Sequence, residues 1–390
     1  MEKNRYLTEY IRQDLDEKMV FIGGARQVGK TTLAKDLLSK LYSRTEYYNW
    51  DYSADRKRLK NLEFPGERAL LIFDELHKLK GWKSFLKGIY DTHKDKYKFT
   101  VTGSARLNIF RRGGDSLQGR YHYYTLHPFT LSEMLGGGPE IIPLNELNFR
   151  ANYSVKDLDT LIRFGGFPEP LLKQDDRLLR RWHSEKLERL FRQDIRETQD
   201  IRDFTSMKML GDLLPEKAGG PLSLNAIRED LEVSHRAVTN WVDILEQFYY
   251  HFRVFPFHSS KIRSLKKEAK SYLVDWTEVE NEGAKFENVI ASHLLKTVDF
   301  LREREGYKAE LNYLRNVDGK EVDFLVIINR KPWFAVEVKL SDLTPSPNLF
   351  YFRDRLKIPF VYQVIRKSGE DTLRDGIRVI SAEKFLSGLL

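Results

Sequence analysis

The run Val20-Phe21-Ile22-Gly23-Gly24-Ala25-Arg26-Gln27-Val28-Gly29-Lys30-Thr31-Thr32 contains the pattern G-x-x-x-x-G-K-[ST] between Gly24 and Thr31. An apolar run, Met19 to Ile22, enters this pattern, and an amphipathic segment, Thr32 to Tyr42, leaves it. A strand, a glycine-rich loop and a helix in this order are typical of a phosphate-binding loop. Glycine lets the backbone curl so that its N–H groups point at phosphate oxygens, and the helix N-terminus adds a positive dipole end.

The residue types in the loop favour ATP with Mg²⁺ as the ligands. Lys30 is expected to reach the β- and γ-phosphates, and Thr31 is expected to hold the Mg²⁺ ion. The alternative is a chance glycine-rich turn, which the context of strand and helix disfavours. The loop residues predicted to bind the nucleotide are Gly24, Ala25, Arg26, Gln27, Val28, Gly29, Lys30, Thr31 and Thr32.

The length, composition and charge of the chain limit the kinds of protein and of site that it can contain. The chain has 390 residues, which suggests roughly two to four domains. It has no cysteine, which excludes disulfides, thiolate metal sites and cysteine nucleophiles. The net charge of +8 is compatible with nucleic acid as a partner but does not require it. Residues 1–16 are charged throughout, unlike a signal peptide, and no apolar run is long enough to span a bilayer. A cytoplasmic protein without a membrane partner is therefore expected.

Strand-like and helix-like segments alternate through the first part of the chain. Helices are expected at Arg5 to Leu15, Thr32 to Tyr42, Asp55 to Leu62 and Lys80 to His93. Strands are expected at Met19 to Ile22, Tyr47 to Asp51, Ala69 to Asp74, Lys98 to Thr102 and Tyr121 to Leu126. This alternation predicts an α/β fold whose parallel sheet is covered by helices on both faces.

Two acids end the third of these strands, Asp74 and Glu75. In P-loop proteins an acid at this place orients the Mg²⁺ shell, and a second can polarise the attacking water. Asp74 is predicted to take the first role and Glu75 the second. The alternative is an exposed acidic turn after an ordinary strand.

Further residues are candidates for sensing or stabilising charge on the γ-phosphate. Ser104 follows the strand Lys98 to Thr102 and could contact the γ-phosphate or the attacking water; the alternative is a Gly-Ser turn. ATPases that work as oligomers often borrow an arginine from a neighbouring subunit. Arg120, directly before the fifth strand, is the preferred candidate, and the alternative is a solvated surface arginine. The other candidates are Arg106, Arg111 and Arg112.

Four histidines lack the spacing of metal ligands and are interpreted as ordinary residues without a functional role. They are His77, His122, His127 and His251.

Four motifs together resemble a known family. They are Gly-Ala-Arg-Gln-Val-Gly-Lys-Thr, Ile-Phe-Asp-Glu-Leu-His-Lys, Thr-Gly-Ser-Ala, and Gly-Arg ahead of Leu-His-Pro-Phe-Thr-Leu-Ser-Glu. They resemble the AAA+ ATPases of bacteria and archaea that carry a C-terminal domain of unknown function, and the resemblance covers nearly the whole chain. It implies an AAA+ core, a helical lid, a winged helix and a nuclease-like end. Gly165-Gly166-Phe167-Pro168 resembles the lid element that approaches the nucleotide base in related ATPases.

The segment Leu222 to Gln247 has the spacing of a helix–turn–helix, with Ser234 as the N-cap of its second helix. Side chains early on that helix could contact DNA bases. They are Ser234, His235, Arg236, Thr239 and Asn240. The alternative is a packing module that transmits movement between the ATPase and the C-terminal domain.

Three acids and one lysine in the C-terminal part suggest a metal site for phosphodiester hydrolysis. Glu287 lies on a helix, Asp323 at the start of an apolar strand, and Glu337 and Lys339 two apart on the next strand, where they share a face. Carboxylates bind Mg²⁺, or Mn²⁺ in its place, and a lysine can position or deprotonate water. The metal ligands predicted here are Glu287, Asp323 and Glu337, with Lys339 as a catalytic residue.

This pattern resembles the PD-(D/E)xK nucleases, although Val322 stands where a proline often lies. Two alternatives remain open: metal binding without cleavage, and an inherited fold with charged strand ends and no turnover.

The predicted organisation has four parts: an AAA+ P-loop core at 1–140, a helical lid at 141–205, a winged helix at 206–262 and a nuclease-like α/β domain at 263–390. The function expected is ATP hydrolysis that controls a Mg²⁺-dependent, DNA-processing nuclease-like domain, in a homo-oligomer. The alternative is a nucleotide-dependent switch or scaffold whose C-terminal domain binds a partner or nucleic acid without cutting.

Overall fold

The computed structural model describes residues 5–103, 117–137, 140–150, 154–196, 201, 203–258 and 268–390. The chain divides into two compact units, Met1–His127 and Pro128–Leu390.

The first unit is a five-stranded parallel sheet with helices between its strands. The sheet has the order β2-β3-β4-β1-β5. Its strands are β1 (Met19–Gly23), β2 (Thr45–Asn49), β3 (Ala69–Asp74), β4 (Tyr97–Thr102) and β5 (Tyr121–Thr125). The helices are α1 (Thr8–Asp14), α2 (Lys30–Thr32), α3 (Ser53–Lys60) and α4 (Trp82–His93). The predicted α/β fold with a parallel sheet is confirmed.

Apolar sequence explains how this sheet is covered. Every residue of β1 and β3 is buried, as expected for central parallel strands with both faces covered. On α4, Leu86 and Ile89 are buried, and Trp82 and Phe85 pack against the same core. The predicted helix at Lys80 to His93 is therefore present, with its apolar side chains against the core.

The helix after the phosphate-binding loop is less regular than predicted. Only Lys30–Thr32 is α-helical; Leu33–Leu37 continues as a π-helix and Leu38–Leu41 as a 3₁₀ helix. Leu33, Leu37 and Leu38 are buried. The change of winding keeps the apolar side chains of this segment against the core.

The second unit begins with short helices. They are α5 (Leu131–Met134), α6 (Val155–Phe164), α7 (Pro168–Lys173), α8 (Asp176–Arg189, continued by the π-helix Leu190–Ile195), α9 (Phe204–Leu213), α10 (Leu224–Asp230) and α11 (His235–Gln247). The side chains of Ser154, Asp175 and Ser234 each accept a backbone hydrogen bond at a helix start, which satisfies an otherwise unpaired N–H group. The predicted N-cap at Ser234 is confirmed.

An eight-stranded mixed sheet follows, in the order β12-β13-β11-β10-β9-β8-β6-β7. Its strands are β6 (His251–Pro256), β7 (Lys270–Leu273), β8 (Ala309–Arg315), β9 (Glu321–Ile328), β10 (Lys331–Lys339), β11 (Phe360–Ile365), β12 (Asp371–Arg374) and β13 (Ile377–Ser381). Helices α12 (Glu282–Glu303), α13 (Pro347–Leu356) and α14 (Ala382–Ser387) complete the unit.

Strand pairing joins segments that the sequence analysis places in different domains. The predicted boundary between residues 262 and 263 lies outside the described residues. On either side of it, β6 pairs antiparallel with β7 and parallel with β8. The strands before and after the boundary are therefore parts of one sheet, and the four-part division stays a prediction.

Candidate functional sites

The phosphate-binding loop has backbone angles that few residues tolerate. Gly24 and Gly29 have φ of 138° and 100°, in the region that favours glycine. A side chain at Gly24 would also place a Cβ atom 2.4 Å from the Leu126 carbonyl oxygen. The loop can therefore pass this close to the end of β5 only with glycine at position 24.

Lys30 lies under this loop and is 9% exposed. Its ammonium donates hydrogen bonds to the carbonyl oxygens of Gly24, at 2.9 Å, and Ala25, at 2.8 Å. These bonds hold the positive charge inside the curl of the loop. Arg5, which is also buried, donates a 2.9 Å bond to the Val28 carbonyl and a second bond to the His127 carbonyl, so it braces the loop from the other side.

Three hydroxyl groups surround the Asp74 carboxylate. Thr31 Oγ1 donates to Oδ2 over 3.1 Å and the Tyr47 hydroxyl to the same oxygen over 2.6 Å. Thr102 Oγ1 donates to Oδ1 over 2.6 Å. Burial and the bond to Asp74 raise the pKa of the Tyr47 hydroxyl, so it stays a donor. Asp74, itself 7% exposed, is fixed beside the first helical turn of the loop.

Strand register brings these groups together. Asp74 pairs with Asn49 on β2 and with Thr102 on β4, and Ile22 at the end of β1 also pairs with Thr102. The carboxyl ends of four neighbouring parallel strands therefore meet at one edge of the sheet. This is the edge where ligands bind in open α/β sheets.

Glu75 has an unusual backbone and an unusual side-chain environment. Its φ is 55°, and its N–H donates to the Thr102 carbonyl over 3.1 Å. Burial and the neighbouring charge of Asp74 raise the pKa of its carboxyl to about 7, while Lys30 and Lys78 act in the opposite direction. His77 Nε2 lies 3.4 Å from Glu75 Oε2. The sequence analysis assigns no role to His77, but the structure places it against the predicted base.

The loop and its acids fit a nucleoside triphosphate with Mg²⁺. An ammonium, a glycine-rich backbone turn and a helix N-terminus suit polyphosphate. A threonine hydroxyl beside a fixed carboxylate supplies the oxygen groups that Mg²⁺ prefers. Thr31 is exposed at the loop, so its hydroxyl is accessible to a ligand. The predicted set Lys30, Thr31, Asp74 and Glu75 is therefore assembled in one place.

The other predicted ATPase residues are only partly described. Ser104, Arg106, Arg111 and Arg112 lie outside the described residues. Arg120 forms a two-pronged ion pair with Asp91 on α4 of the same chain, at 2.7 and 3.1 Å, and its side chain is 32% exposed. An action of Arg120 on a neighbouring subunit stays a prediction.

Three residues at the loop were missed from the sequence. Thr102 could have been found, because parallel pairing of strands that end at Asp74 and at Thr102 makes them neighbours. Tyr47 and Arg5 carry no motif that separates them from structural tyrosines and arginines. Their roles depend on distances between segments that only the fold brings together.

Two of the three predicted C-terminal acids, Glu287 and Asp323, contact the ammonium of Lys270, a residue without a predicted role. Lys270 Nζ lies 3.2 Å from Glu287 Oε1, 2.8 Å from Glu321 Oε1 and 3.2 Å from Asp323 Oδ1. Glu287 Oε1 also accepts a 2.7 Å bond from the Tyr272 hydroxyl. We call Lys270, Glu287, Glu321 and Asp323, together with Glu337 and Lys339, the acidic cluster.

Glu337 and Lys339 form the other side of this cluster. Their side chains pair at 2.8 Å on β10, on one face as predicted. Burial and the charge of Asp323 raise the pKa of Glu337 to about 7. Burial and the same aspartate raise the pKa of Glu287 to about 7. Glu337 is 5% exposed, and its Oε2 accepts no hydrogen bond from any residue that the structure describes.

The geometry differs from the predicted metal site. Across the described ranges, no three His, Asp or Glu side chains are placed so that they could hold one metal ion. Asp323 directs Oδ1 at Lys270 and accepts a 2.9 Å bond from the Val338 N–H at Oδ2. The acids are arranged around an ammonium, so the present arrangement does not fit Mg²⁺ or Mn²⁺. The ligand roles of Glu287, Asp323 and Glu337 stay a prediction.

The helix pair at 224–247 presents polar residues on its free face. His235, Arg236 and Asn240 are exposed at the start of α11, whereas its opposite face is buried. On that buried side lie Trp241, Ile244, Leu245 and Phe248. The exposed groups can contact a partner without disturbing the core.

Gly165 and Gly166 have a packing role within the second unit. A Cβ atom on Gly166 would lie 2.4 Å from the Phe129 carbonyl oxygen, and one on Gly165 would lie 2.9 Å from Thr277 Cγ2. Phe129 N–H also donates to the Gly166 carbonyl over 2.7 Å. Close packing explains both glycines, and a contact with a nucleotide base stays a prediction.

Three family models match the chain. Residues 16–135 match the family described as AAA domain. Residues 155–277 and 282–385 match two domains of unknown function, DUF8612 and DUF4143. These matches support an AAA+ ATPase-like core followed by additional domains.

Proteins similar over most of their length are described only as uncharacterized. MJ1544 of Methanocaldococcus jannaschii is 23% identical over 382 residues, which cover 89% of this chain and 82% of that protein. A Haemophilus influenzae protein is 22% identical over 414 residues, 97% of each chain. The likeness therefore extends along the chain without identifying a reaction.

Among solved structures, the Thermotoga maritima RuvB Holliday junction branch migration motor covers 67% of this chain and 95% of its own. It is 20% identical to this chain, with a TM-score of 0.29. No helix in the described part of this chain is both long enough and apolar enough to cross a membrane.

Proposed function

We propose that this protein hydrolyses ATP at the loop Gly24–Thr31 and uses the cycle to control its C-terminal part. The observation that carries the proposal is the Asp74 carboxylate, held by Thr31, Tyr47 and Thr102 at the carboxyl edge of the sheet. A protein that only bound phosphate would need the loop but not a fixed acid followed by a second, largely buried acid. The match of residues 16–135 to an AAA domain supports the same function.

Each residue has a defined task in this proposal. Lys30 turns its ammonium from the Gly24 and Ala25 carbonyls to the terminal phosphates, and the backbone N–H groups of the loop hold the phosphate oxygens. Thr31 and Asp74 would hold Mg²⁺, which when bound neutralises phosphate charge. Glu75 orients the attacking water and accepts its proton. His77, 3.4 Å from Glu75, orients that carboxylate.

The test compares Glu75→Gln with the wild-type protein, using a fluorescent ATP analogue for binding and phosphate release for turnover. Glutamine keeps the size of the side chain but cannot accept a proton. We expect unchanged affinity and a loss of about 10²- to 10⁴-fold in turnover. Glu67→Gln, an exposed glutamate distant from the loop in the sequence, is the matched control. Wild-type turnover by Glu75→Gln would remove the role given to this residue.

For the C-terminal part, the geometry favours a switch that binds a partner or nucleic acid without cutting it. The reason is that the acidic cluster surrounds Lys270, with no described trio of acids placed for a metal ion. DNA is the partner that the exposed start of α11 suits, in a homo-oligomer whose assembly depends on ATP. In this proposal, α10 and α11 with the β6–β7 hairpin act as a winged helix.

A Mg²⁺-dependent nuclease under ATP control is the second candidate. The observation that favours it is the convergence of Asp323, Glu337 and Lys339, with Glu337 Oε2 buried and lacking a partner among the described residues. Wild type and Asp323→Ala are incubated with ATP, Mg²⁺ or Mn²⁺, and single- and double-stranded DNA and RNA. Cleavage by wild type that Asp323→Ala loses would establish the nuclease. DNA-stimulated ATP turnover without cleavage would establish the switch.

A further inference from the structure

Lys270 is among the most buried charged residues of the second unit. It is 2% exposed, and its ammonium contacts three carboxylates from two elements: Glu287 on α12, and Glu321 and Asp323 on β9. Burial alone would lower the pKa of Lys270, but Asp323, Glu287 and Glu321 raise it above its usual range. The lysine is therefore charged at every physiological pH.

The strand that carries this ammonium pairs with backbone on both of its sides, and this pairing sets the position of Lys270. Lys270 pairs with Val254 on β6 and forms a bridge with Pro221 on the other side. The Leu222 N–H donates to the Ala269 carbonyl over 2.8 Å, and the Gly219 N–H to the Ser271 carbonyl over 2.9 Å. A strand held from both sides gives the lysine little freedom to leave the acids.

The three carboxylates around this ammonium are the groups that a bound cation would require. Glu287, Glu321 and Asp323 would repel one another in a buried place, and an unpaired buried charge is costly. One ammonium at 2.8–3.2 Å from all three offsets that repulsion. A divalent ion entering the same space would meet the ammonium as a like charge at short range.

We propose that Lys270 takes the place of a divalent cation in the acidic cluster, so that the cluster binds Mg²⁺ or Mn²⁺ only when Lys270 is removed or displaced. The proposal goes beyond ATP hydrolysis and does not depend on it. It also explains why the acids predicted as metal ligands are not arranged around a metal ion: the ammonium of Lys270 already occupies the space between them.

The segment that holds Lys270 also leads into the helix pair. Residues 218–222 bond to the strand of Lys270 and directly precede α10, and a Cβ atom on Gly219 would lie 3.6 Å from the Glu287 carboxylate. A movement of α10 and α11 would therefore pull on the strand that carries the ammonium.

The experiment measures Mn²⁺ binding to the full-length, nucleotide-free protein from the loss of the free-Mn²⁺ electron paramagnetic resonance signal. Wild type should show no binding that depends on Asp323. Lys270→Met keeps an aliphatic stem but no charge, and should gain a site with an affinity at least about tenfold above the wild-type background. The double variant Lys270→Met/Asp323→Asn should lose that site. Lys270→Arg, which keeps the charge, should resemble wild type.

A second experiment measures the thermal unfolding of the same variants. Lys270→Met should unfold at a lower temperature than wild type, because three partly buried acids lose their counter-charge, and Mn²⁺ should raise its Tm but not that of Lys270→Arg. Wild-type Mn²⁺ binding that Asp323→Asn abolishes would overturn the proposal, and this result needs no Lys270 variant to fold. A folded Lys270→Met protein that gains no Mn²⁺ site would overturn it equally.

Discussion

Thr31 Oγ1 lies 3.1 Å from Asp74 Oδ2, although the two residues are 43 positions apart in the chain. The bond joins the start of the helix after the phosphate-binding loop to the end of β3. A Mg²⁺ ion at this place would be held between these two oxygen groups, one neutral and one charged.

Lys30→Ala should abolish nucleotide binding. The ammonium is the charged donor of the loop, and losing two charge-assisted hydrogen bonds lowers affinity by about a hundredfold or more. Binding of a fluorescent ATP analogue measures the effect. Lys40→Ala, at an exposed position on the same helical segment, is the control and should bind normally. Normal binding by Lys30→Ala would mean that the nucleotide lies elsewhere.

Tyr47→Phe should reduce ATP turnover about three- to tenfold and raise the Mg²⁺ concentration needed for half-maximal activity. The change removes one of two donors to Asp74 Oδ2, and a hydrogen bond of this kind contributes about 1 kcal/mol. Nucleotide affinity without Mg²⁺ should not change. The exposed Tyr52 supplies the control Tyr52→Phe. An unaltered Mg²⁺ dependence in Tyr47→Phe would show that Tyr47 only packs.

Arg120→Ala should lose ATPase activity while still binding ATP, and mixing it with Glu75→Gln should restore part of the activity. Restoration is expected at interfaces that pair an intact Arg120 with an intact Glu75. Asp91→Ala, which frees the guanidinium from its partner in the same chain, should stay active. Mixtures that remain inactive despite proven co-assembly, or an Asp91→Ala protein as inactive as Arg120→Ala, would favour a structural ion pair.

The second unit should lose stability as the pH falls below about 6.5, in part through His293. Its Nε2 accepts from the Leu131 N–H over 3.1 Å, and its Nδ1 donates to the Val289 carbonyl over 2.7 Å. Burial lowers the pKa of His293 to about 3, with the charge of Lys296 lowering it and that of Glu133 raising it. The unfolded chain therefore binds a proton between these pH values that the folded chain excludes, so this stability is complete above about pH 6.5 and is lost toward pH 3.

Urea unfolding of wild type and His293→Gln between pH 7 and pH 4 measures this contribution. Glutamine can make both hydrogen bonds without titrating. The free energy of unfolding of wild type should fall more steeply than that of the variant, by up to about 1.4 kcal/mol per pH unit. Parallel curves would show that His293 does not resist protonation.

The residues of the candidate ATP site could be placed together from the sequence because they belong to local motifs. Lys30 and Thr31 belong to one motif, and Asp74 and Glu75 end one apolar strand. Because the strands pair in parallel, their carboxyl ends lie at one edge of the sheet, and the two pairs of residues meet there. Arg5 contacts the carbonyl groups of Val28 and His127, which lie 23 and 122 positions away in the chain. No local sequence pattern predicts contacts between residues so far apart.

The C-terminal part shows where this kind of reasoning fails. The motif Glu-x-Lys at Glu337 and Lys339 is local and lies on one face, as predicted. Lys270 belongs to no motif, and nothing in its sequence neighbours shows that three acids from α12 and β9 surround it. The short strand β12 also gives no signal in the sequence, since it is mostly exposed and has no apolar pattern.

The continuous pairing of β6, β7 and β8 has a practical consequence for dividing the protein. A fragment that begins at residue 282, where the DUF4143 match begins, would lack β6 and leave one side of β8 unpaired. An uncovered edge strand is a template for association with other chains. Such a fragment should aggregate, whereas one that starts at Pro128 keeps the whole sheet. Biochemical work on the C-terminal part in isolation should therefore begin from the longer piece.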